Sequence, residues 1–527
     1  MASVRFRRRL LISCVWLFSL ACAASEHAVL ERGNGPEPST LDAHRCQEVS
    51  CANILRDLYE GLVSEDASGN LIPGLAARWQ VSANQREWTF WLREDARWSD
   101  GSPITAQQVI ASFSRASDPA TMAPLVSVLK DIRAVDSPAD GAIRFHLHRP
   151  LDLLPRLSLP IAFPVRVDLV ERWGAQHTQA QHWVGNGAYV LQEWTPQSSL
   201  RLRRNPHFHS PATIDEVRYH VTEDAAAEYK RFLAGDLHLT ETVPPARLVE
   251  LQTRHGDTLH ISPYLGVFFL GINLRQGPLA KSLPLRQALS LAIDRERLVN
   301  TITGLGELPA ERLLPLALGL PLPTSTEPAS ARHREARARA LYAEAGFSSA
   351  SPLQIELRFN TSTPHRRMAL AVAAMWREVL GVRTRLRNEE WKVFVQNRRQ
   401  GRVTEVFRGG WIADMADPAS FLDLFRRDSE LNWSGWRDGE YDRLLDAAQA
   451  SSDAAQRADL QGAAERRLLA AQAILPLYFY TSKHLVSPEV EGFEANPLDR
   501  HPSRFLRWLD EWDSAAQSPS TTSPGAP

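Results

Sequence analysis

The sequence has few cysteines, no excess of either charge and no hydrophobic run long enough to span a membrane. Four Cys in 527 residues exclude a disulfide-rich scaffold and leave little for cysteine-based zinc or iron–sulfur sites. Sixty basic and 61 acidic side chains give a net charge of −1, which argues against a protein that binds nucleic acid or another polyanion. The apolar run at 10–23 is shorter than the roughly 20 residues that a transmembrane helix needs.

The motifs of the common enzyme classes are also missing. The sequence contains no Gly-x-Ser-x-Gly elbow, no His-Glu-x-x-His pair and no phosphate loop, and the Gly-Asn-Gly at 185–187 is only part of a dinucleotide fingerprint. His146 with His148, and His207 with His209, could each chelate a metal from one face of a strand, but neither pair has a third ligand nearby. We therefore expect no catalytic residue, no metal site and no cofactor.

What the chain does contain is an ordinary globular composition. Hydrophobic residues make up 44% and charged residues 23%, and 15 Trp supply large amphipathic surfaces. A chain of this length predicts about two to four domains. In the second half, predicted strands at 353–360 and 382–387 alternate with helices at 332–346 and 366–380, as parallel-sheet units require. A long helix is predicted over 284–301, and the fold class is therefore α/β.

The first residues of the chain are typical of an export signal. Four Arg within 5–9 precede the apolar run at 10–23, and small residues follow, so residues 1–25 are a predicted signal peptide. An uncleaved membrane anchor is the alternative. Cys22 could also be a lipidated first residue, although the small residues around it fit ordinary cleavage. Residues 513–527 are rich in Ser, Pro and Ala, which predicts a disordered tail.

The segment 408–418 is the densest candidate site. It combines a cation, two glycines, a Trp and two carboxylates, and a helix start follows at Pro418. One interpretation is a loop in which Asp417 caps the helix and Asp414 is solvated. The other is a ligand platform, in which the backbone binds an extended peptide, Trp411 packs on its side chains and Asp414 pairs with an ammonium.

Several ordered blocks of residues point further. They are Asp57-Leu-Tyr-Glu-Gly-Leu62, Pro73-Gly-Leu-Ala-Ala-Arg-Trp79, Trp88-Thr-Phe-Trp-Leu-Arg93, Trp98-Ser-Asp-Gly-Ser-Pro-Ile-Thr-Ala106, Asn186-Gly-Ala-Tyr189 and Ala288-Leu-Ser-Leu-Ala-Ile-Asp-Arg295. In these blocks the chain resembles the family-5 extracellular solute-binding proteins, the periplasmic oligopeptide-binding components of ABC peptide importers. The resemblance extends from about 39 to 510. It implies a periplasmic-binding-protein type II-like fold, with two hinged α/β lobes that trap the ligand and one extra lobe.

The resemblance also implies lobe boundaries. Lobe I would combine 26–59 with 183–265 and 482–512. Lobe II, the extra lobe, would be 60–182, and lobe III would be 266–481. Closure of lobes I and III over a peptide would dehydrate its backbone hydrogen bonds and so strengthen them.

Ligand-binding residues follow from the same resemblance, position by position. Asp414 matches the residue that binds the peptide's α-ammonium, and Gly410 and Ile412 match residues whose backbone pairs with the peptide. On the opposite lobe, the stretch that pairs along the other peptide edge corresponds to Cys46, Gln47, Glu48 and Val49.

Aromatic and basic positions complete the implied site. Trp391 and Trp411 match walls of the side-chain pockets. His365 and Arg408 match basic positions that are available to the C-terminal carboxylate or to acidic side chains, and both would supply positive charge.

Two cysteines bracket the stretch that would pair with the peptide. In an exported protein we expect a disulfide between Cys46 and Cys51. Two free thiols are the alternative, because five residues of extended strand exceed the bridging distance unless the chain turns.

The function implied by the resemblance is that of an exported, non-enzymatic receptor that binds short peptides and delivers them to membrane ABC permease subunits. We expect a periplasmic monomer that does not bind nucleic acid. A specialised receptor for murein peptide, haem, glutathione or a nickel chelate is the first alternative. A periplasmic chaperone or a hydrolase is less favoured, because no nucleophile–base pair is visible.

Overall fold

The computed structural model describes residues 29–509, apart from 245–246, 305, 319–329, 404 and 452. The predicted signal peptide, Cys22 and the predicted tail at 513–527 therefore lie outside the described residues. Within the described part of the chain, every helix is too short or too polar to cross a membrane.

The first sheet is built from both ends of the N-terminal half. Its region contains β1 (Val29–Gly33) and α1 (Val49–Leu58) and, after the second sheet, β8 (Tyr189–Thr195), β9 (Ser199–Arg204) and β10 (Glu216–His220). The strand order is β1-β10-β9-β8, with β1 parallel to β10 and the other pairs antiparallel. Ile54 and Leu55 of α1 pack against Val217 and Tyr219 of this sheet to form its core.

The second sheet is an antiparallel insertion between α1 and β8. This region begins with a separate two-stranded sheet of β2 (Val63–Glu65) and β3 (Leu71–Pro73). The elements that follow are β4 (Ala76–Val81), β5 (Glu87–Leu92), α2 (Ala106–Ser117), β6 (Ile132–Asp136), β7 (Ala142–Leu147), α3 (Leu154–Leu157) and α4 (Val167–Trp173). The order β4-β5-β7-β6 brings Trp88, Phe90 and Phe145 into one core, as their alternation predicts. Thr105 begins α2 with a capping box to Gln108.

A buried ion pair joins the second sheet region to the first. The Arg115 guanidinium on α2 donates to Asp42 Oδ2 at 2.6 Å and to His44 Nδ1 at 2.8 Å. Burial and the Arg115 cation lower the pKa of His44 to about 4, so that its ring is neutral and can accept this bond. The two regions therefore meet through fixed hydrogen bonds as well as apolar packing.

The third sheet occupies most of the second half. After the first-sheet strands β8 (Tyr189–Thr195), β9 (Ser199–Arg204) and β10 (Glu216–His220), two helices lead to it, α5 (Ala225–Leu233) and α6 (Leu248–Arg254). Its own elements are β11 (Leu259–Ile272), α7 (Gly277–Lys281), α8 (Leu283–Leu291), α9 (Arg295–Leu298), β12 (Leu308–Pro309), α10 (Ala331–Glu344), β13 (Gln354–Asn360), α11 (Thr363–Leu380), β14 (Arg383–Glu389), α12 (Trp391–Arg399), β15 (Val406–Ile412), α13 (Ala419–Leu422), α14 (Gly439–Ala450), α15 (Ala454–Ala470) and β16 (Ile474–Leu485). A short pair, β17 (Val490–Glu491) with β18 (Arg507–Trp508), follows.

One prediction for this half is confirmed and another needs correction. The strands predicted at 353–360 and 382–387 are β13 and β14, and they pair in parallel. The whole sheet, in the order β12-β16-β11-β15-β13-β14, is mixed, because β11 runs antiparallel to both of its neighbours. The single helix predicted over 284–301 is broken after Leu291. Asp294 accepts a hydrogen bond from the backbone N–H of Arg297 and so caps a new helix there.

The strands β11 and β16 connect the first and third sheets. They pair antiparallel over most of their 14 and 12 residues. At the outer end of this pair, Leu239 bridges Arg32 of β1 and Val486 just beyond β16. The pair therefore continues from one sheet region into the other, which is the geometry of a hinge.

Glycine and phenylalanine face each other twice across β11 and β15. Phe269 lies opposite Gly409, and Gly271 lies opposite Phe407. A Cβ on Gly271 would come within 2.3 Å of the Phe407 ring.

We expect Gly271→Ala to lower the free energy of unfolding by about 1–3 kcal/mol, because the added methyl overpacks the sheet. The matched control is Gly439→Ala, since nothing lies within 4 Å of a Cβ there. Urea denaturation of both variants would measure the difference. Equal stability of the two variants would contradict the proposed packing.

Candidate ligand-binding cleft

A cavity of about 240 Å³ lies where α1, the end of β15 and the C-terminal segment meet. Its charged and aromatic lining residues are Glu48, Arg56, Tyr264, Asp414, Asp499 and Arg500. Six residues predicted from the sequence line it: Cys46, Gln47, Glu48, Val49, Ile412 and Asp414. Segments that are more than 350 residues apart in sequence therefore meet at one site.

One face of α1 forms a wall of this cavity. Val49, Ala52, Asn53 and Arg56 all line it, at the i, i+3, i+4 and i+7 spacing of one helical face. The extended backbone before α1 ends at Glu48, so the stretch predicted to pair with a peptide is extended only up to that residue.

The turn from extended chain into helix brings two cysteines together. Cys46 and Cys51 form a disulfide in the structure, with their Cα atoms 6.0 Å apart. Because α1 begins at Val49, the chain between the two cysteines is not a straight strand. The bridge thus closes a short loop at the rim of the cavity.

The backbone of β15 is open along one edge. The strand pairs with β11 from Val406 to Ile412, but β13 covers only its first two residues. The N–H of Ala413 donates to Leu265 in β11, whereas the carbonyl of Arg408 accepts from Arg398 on the other side. Since backbone groups alternate along a strand, Gly410 and Ile412 direct theirs towards the open edge.

The Asp414 carboxylate has no hydrogen bond or ion pair to another described residue, although it lies on the cavity wall. Loss of solvation raises its pKa, and the Arg500 and Arg56 cations oppose this shift. Its main-chain carbonyl is held by the Arg500 guanidinium. The backbone of Asp414 is therefore held in place, and a cation could still approach its carboxylate.

A second group of predicted residues lies further along β15. Arg408 stands 5.3 Å from the Phe268 ring, and His365 shares a 2.9 Å hydrogen bond with Asn360. Burial and the Arg408 cation lower the pKa of His365 to about 4. His365 is therefore neutral near pH 7 and offers a hydrogen bond, while Arg408 carries the positive charge predicted for both.

The two predicted aromatic walls lie away from the 240 Å³ cavity. Trp391 is 48% exposed at the start of α12, near Phe394. Trp411 lines a different cavity, of about 620 Å³, between the second and third sheet regions. Side chains alternate along a strand, so Trp411 points to the opposite face from Ile412.

One group of described residues has a spacing that a metal ion could use. The side-chain ligand atoms of His484, Asp499 and His501 all lie within 4.8 Å of one another. Hydrogen bonds already connect them, because His484 Nε2 donates to Asp499 at 2.7 Å and His501 Nε2 donates to it at 3.2 Å. The other His484 nitrogen donates to the carbonyl of Thr240. The atoms are thus satisfied as a buried ion pair.

The histidine pairs considered from the sequence have carboxylate partners instead. His146 at the end of β7 contacts Asp136 at 2.9 Å and Glu87 at 3.2 Å. His209 contacts Glu60 at 2.8 Å. The segment that holds His207 and His209 is a turn and not the strand that we predicted.

Among the charged and aromatic lining residues, sequence reasoning missed four, Arg56, Tyr264, Asp499 and Arg500. Arg56 lies seven positions after Val49, but the two residues share one helical face only because α1 begins at Val49, which we did not predict. Tyr264, Asp499 and Arg500 had no local signal, because only the third dimension brings them to the cavity that Asp414 lines.

Comparison with known proteins gives a consistent result. Residues 70–433 match the family model described as bacterial extracellular solute-binding proteins, family 5 middle. The periplasmic oligopeptide-binding protein OppA of Salmonella typhimurium is 34% identical over 90% of this chain and 91% of its own.

Solved structures agree with this match. The unliganded open form of the periplasmic murein tripeptide binding protein MppA has a TM-score of 0.83 at 31% identity, and covers 93% of this chain and 99% of its own. Haemophilus influenzae OppA in complex with the peptide RPPGFSPFR has a TM-score of 0.75 at 29% identity, over 92% of this chain and 99% of its own.

The His484–Asp499 pair predicts a pH dependence of stability. Burial alone would lower the pKa of His484, but the Asp499 carboxylate raises it to about 9. A raised pKa stabilises the fold fully below the unfolded value of 6.5, and this contribution is lost as the pH rises through 9.

We therefore expect the stability advantage of the wild type over His484→Gln to be about 3 kcal/mol larger at pH 6 than at pH 10. Urea denaturation at the two pH values would measure it. His333→Gln is the matched control, because His333 is exposed on α10. An advantage that does not change with pH would contradict the assignment of the proton to His484.

Proposed function

Because the chain belongs to the family-5 bacterial extracellular solute-binding proteins, we propose that it binds short peptides outside the cytoplasm and delivers them to the permease subunits of an ABC transporter. The observation that carries this proposal is the unpartnered Asp414 carboxylate at the end of an open strand edge. Together they suit a free α-ammonium followed by an extended backbone. The peptide held by the Haemophilus influenzae relative is consistent with such a ligand.

Asp414 would fix the N-terminus of the peptide. A ligand ammonium placed beside it would replace the solvation that the carboxylate has lost, and would make a charge-assisted hydrogen bond. The Arg500 guanidinium holds the Asp414 carbonyl and so keeps the carboxylate in position.

The peptide backbone would pair with the open edge of β15. Gly410 and Ile412 would supply N–H and C=O groups on one side, and the extended residues Gln47 and Glu48 would supply them on the other. A Cβ at position 410 would come within 2.9 Å of the Tyr480 hydroxyl, so glycine keeps this approach clear. Backbone pairing carries affinity without selecting a side chain.

Arg408 and His365 would receive the far end of the ligand or an acidic side chain. Arg408 lies six residues before Asp414, about 20 Å along an extended chain. Arg408 would attract a carboxylate by its charge, and the neutral His365 would donate a hydrogen bond. Trp411 and Trp391 would contact side chains only if closure of the lobes brings them to the ligand.

The lobes predicted from the sequence remain part of this proposal. Lobe I (26–59, 183–265, 482–512) and lobe III (266–481) would close about the β11–β16 pair, and lobe II (60–182) would follow lobe I through its buried contacts. We propose a periplasmic monomer that carries out no reaction on its ligand. An export signal at 1–25, with or without lipid at Cys22, would direct it there.

Substitution of Asp414 tests the assignment of the peptide terminus. Asp414→Asn should weaken the binding of a free tripeptide such as Ala-Ala-Ala by about 2–5 kcal/mol, because a desolvated ammonium loses its charged partner. An N-acetylated tripeptide should bind weakly to both proteins. Isothermal titration calorimetry would measure the four affinities.

The matched control is Asp417→Asn, because Asp417 accepts a hydrogen bond from the N–H of Ala419 at the start of α13 and is not a proposed ligand contact. This variant should keep the preference for a free amine. If the wild type binds free and acetylated peptides equally well, Asp414 does not hold the ammonium. If it binds no peptide at all, the proposed function fails.

A further inference from the structure

Arg56 is a half-buried cation without a partner in the described structure. Its side chain forms no hydrogen bond or ion pair to any described residue, and its Nε atom is buried and unsatisfied. It stands on the face of α1 that lines the cavity with Asp414. A guanidinium normally makes several hydrogen bonds, so an unpaired one in a ligand cavity calls for an anion.

No neighbouring carboxylate forms an ion pair with Arg56 in the described structure. Arg500 is occupied, because it donates to Glu65 and to the Asp414 carbonyl. Glu65 accepts from Arg500 and from the Ser158 hydroxyl at 2.7 Å. Asp414 is the other carboxylate near Arg56. The positive charges of Arg56 and Arg500 therefore equal the negative charges of Glu65 and Asp414.

A bound peptide would upset this balance. Its ammonium would occupy Asp414 and leave the group with one excess positive charge next to Arg56. A buried cation without a partner is costly, and a second ligand group of negative charge would remove that cost. Of the remaining charged lining groups, Asp499 pairs with His484, and Glu48 keeps its charge but accepts from Ser39. The ionised groups whose charges act most strongly on Arg56 are Arg500, Glu65 and Asp414.

We propose that Arg56 binds a carboxylate on the first side chain of the ligand, so that the protein prefers peptides that begin with Glu or Asp. This inference rests on the proposed function and names the substrate class of the same cleft. The carboxylate belongs to the first residue because Arg56 and Asp414 line one cavity of about 240 Å³, below the roughly 300–1,000 Å³ of ordinary small-molecule pockets. Only the C-terminus of a longer peptide would lie near Arg408, because three extended residues span about 10 Å.

Burial supports the need for an anion at Arg56. Loss of solvation and the Arg500 cation lower the pKa of Arg56 to about 9, against the effects of Glu65 and Asp414. Arg56 stays charged at neutral pH, and a ligand carboxylate would restore part of the stabilisation that its charged form has lost.

The test compares peptides and variants in one calorimetric experiment. Glu-Ala-Ala should bind the wild type at least tenfold more tightly than the isosteric Gln-Ala-Ala, and Ala-Ala-Glu should show no such gain over Ala-Ala-Gln. Arg56→Gln should weaken Glu-Ala-Ala at least tenfold and Gln-Ala-Ala less than threefold. Arg56→Lys should keep part of the preference.

Arg45→Gln is the matched control, because Arg45 is an exposed arginine close to α1. It should bind all four peptides as the wild type does. Should the Arg56 variants fail to fold, the comparison of Glu-Ala-Ala with Gln-Ala-Ala on the wild type still decides the question.

Two outcomes would overturn the inference alone. Equal binding of Glu-Ala-Ala and Gln-Ala-Ala by the wild type would mean that no cation reads the first side chain. Equal losses for both peptides in Arg56→Gln would mean that Arg56 acts by pairing with Asp414 or Glu65. Failure of every peptide to bind would instead overturn the proposed function, and this inference with it.

Discussion

Antiparallel pairing between β15 and β11 determines how Arg408, Gly410 and Ile412 are presented at the candidate cleft. The pairing covers one backbone edge of β15, so the groups of Gly410 and Ile412 that point the other way stay open. It also sets which side chains face the cavity, and a slip by one residue would exchange Ile412 for Trp411. The Gly–Phe contacts across the two strands oppose such a slip, because each ring fits only over a residue without a side chain.

Charged hydrogen bonds join the segments around the cleft, which come from three different regions of the fold. Arg500 comes from the C-terminal segment, Glu65 from the second sheet region and Asp414 from the end of β15, yet the guanidinium contacts all three regions. Buried ion pairs add little net stability, but they penalise every arrangement that leaves a charge alone. Here they hold the Asp414 backbone while its carboxylate remains available, which positions the group without using up its charge.

Short-range signals in the sequence predicted much of the fold. The helices predicted at 332–346 and 366–380 and the strands predicted at 353–360 and 382–387 correspond to α10, α11, β13 and β14, because their patterns depend on neighbours in the chain. The long helix at 284–301 failed because the polar side chain of Asp294 competes for backbone N–H groups. The direction of β11 in the sheet, and the presence of Arg500 beside Asp414, depend on contacts between distant segments that no local pattern records.

In the proposed binding mode, backbone pairing would supply affinity, and charged side chains would set the position of the peptide. An open strand edge binds any extended chain, because every residue offers the same N–H and C=O groups. Such an edge cannot set where a peptide starts, so a fixed carboxylate at one end has to define the register. A cation in the same small cavity can reach only the side chain of the first ligand residue, which carries the α-ammonium. Selectivity confined to the first position is therefore compatible with tolerance along the rest of the ligand. Arg56 lines the same cavity as Asp414, where this first position would lie.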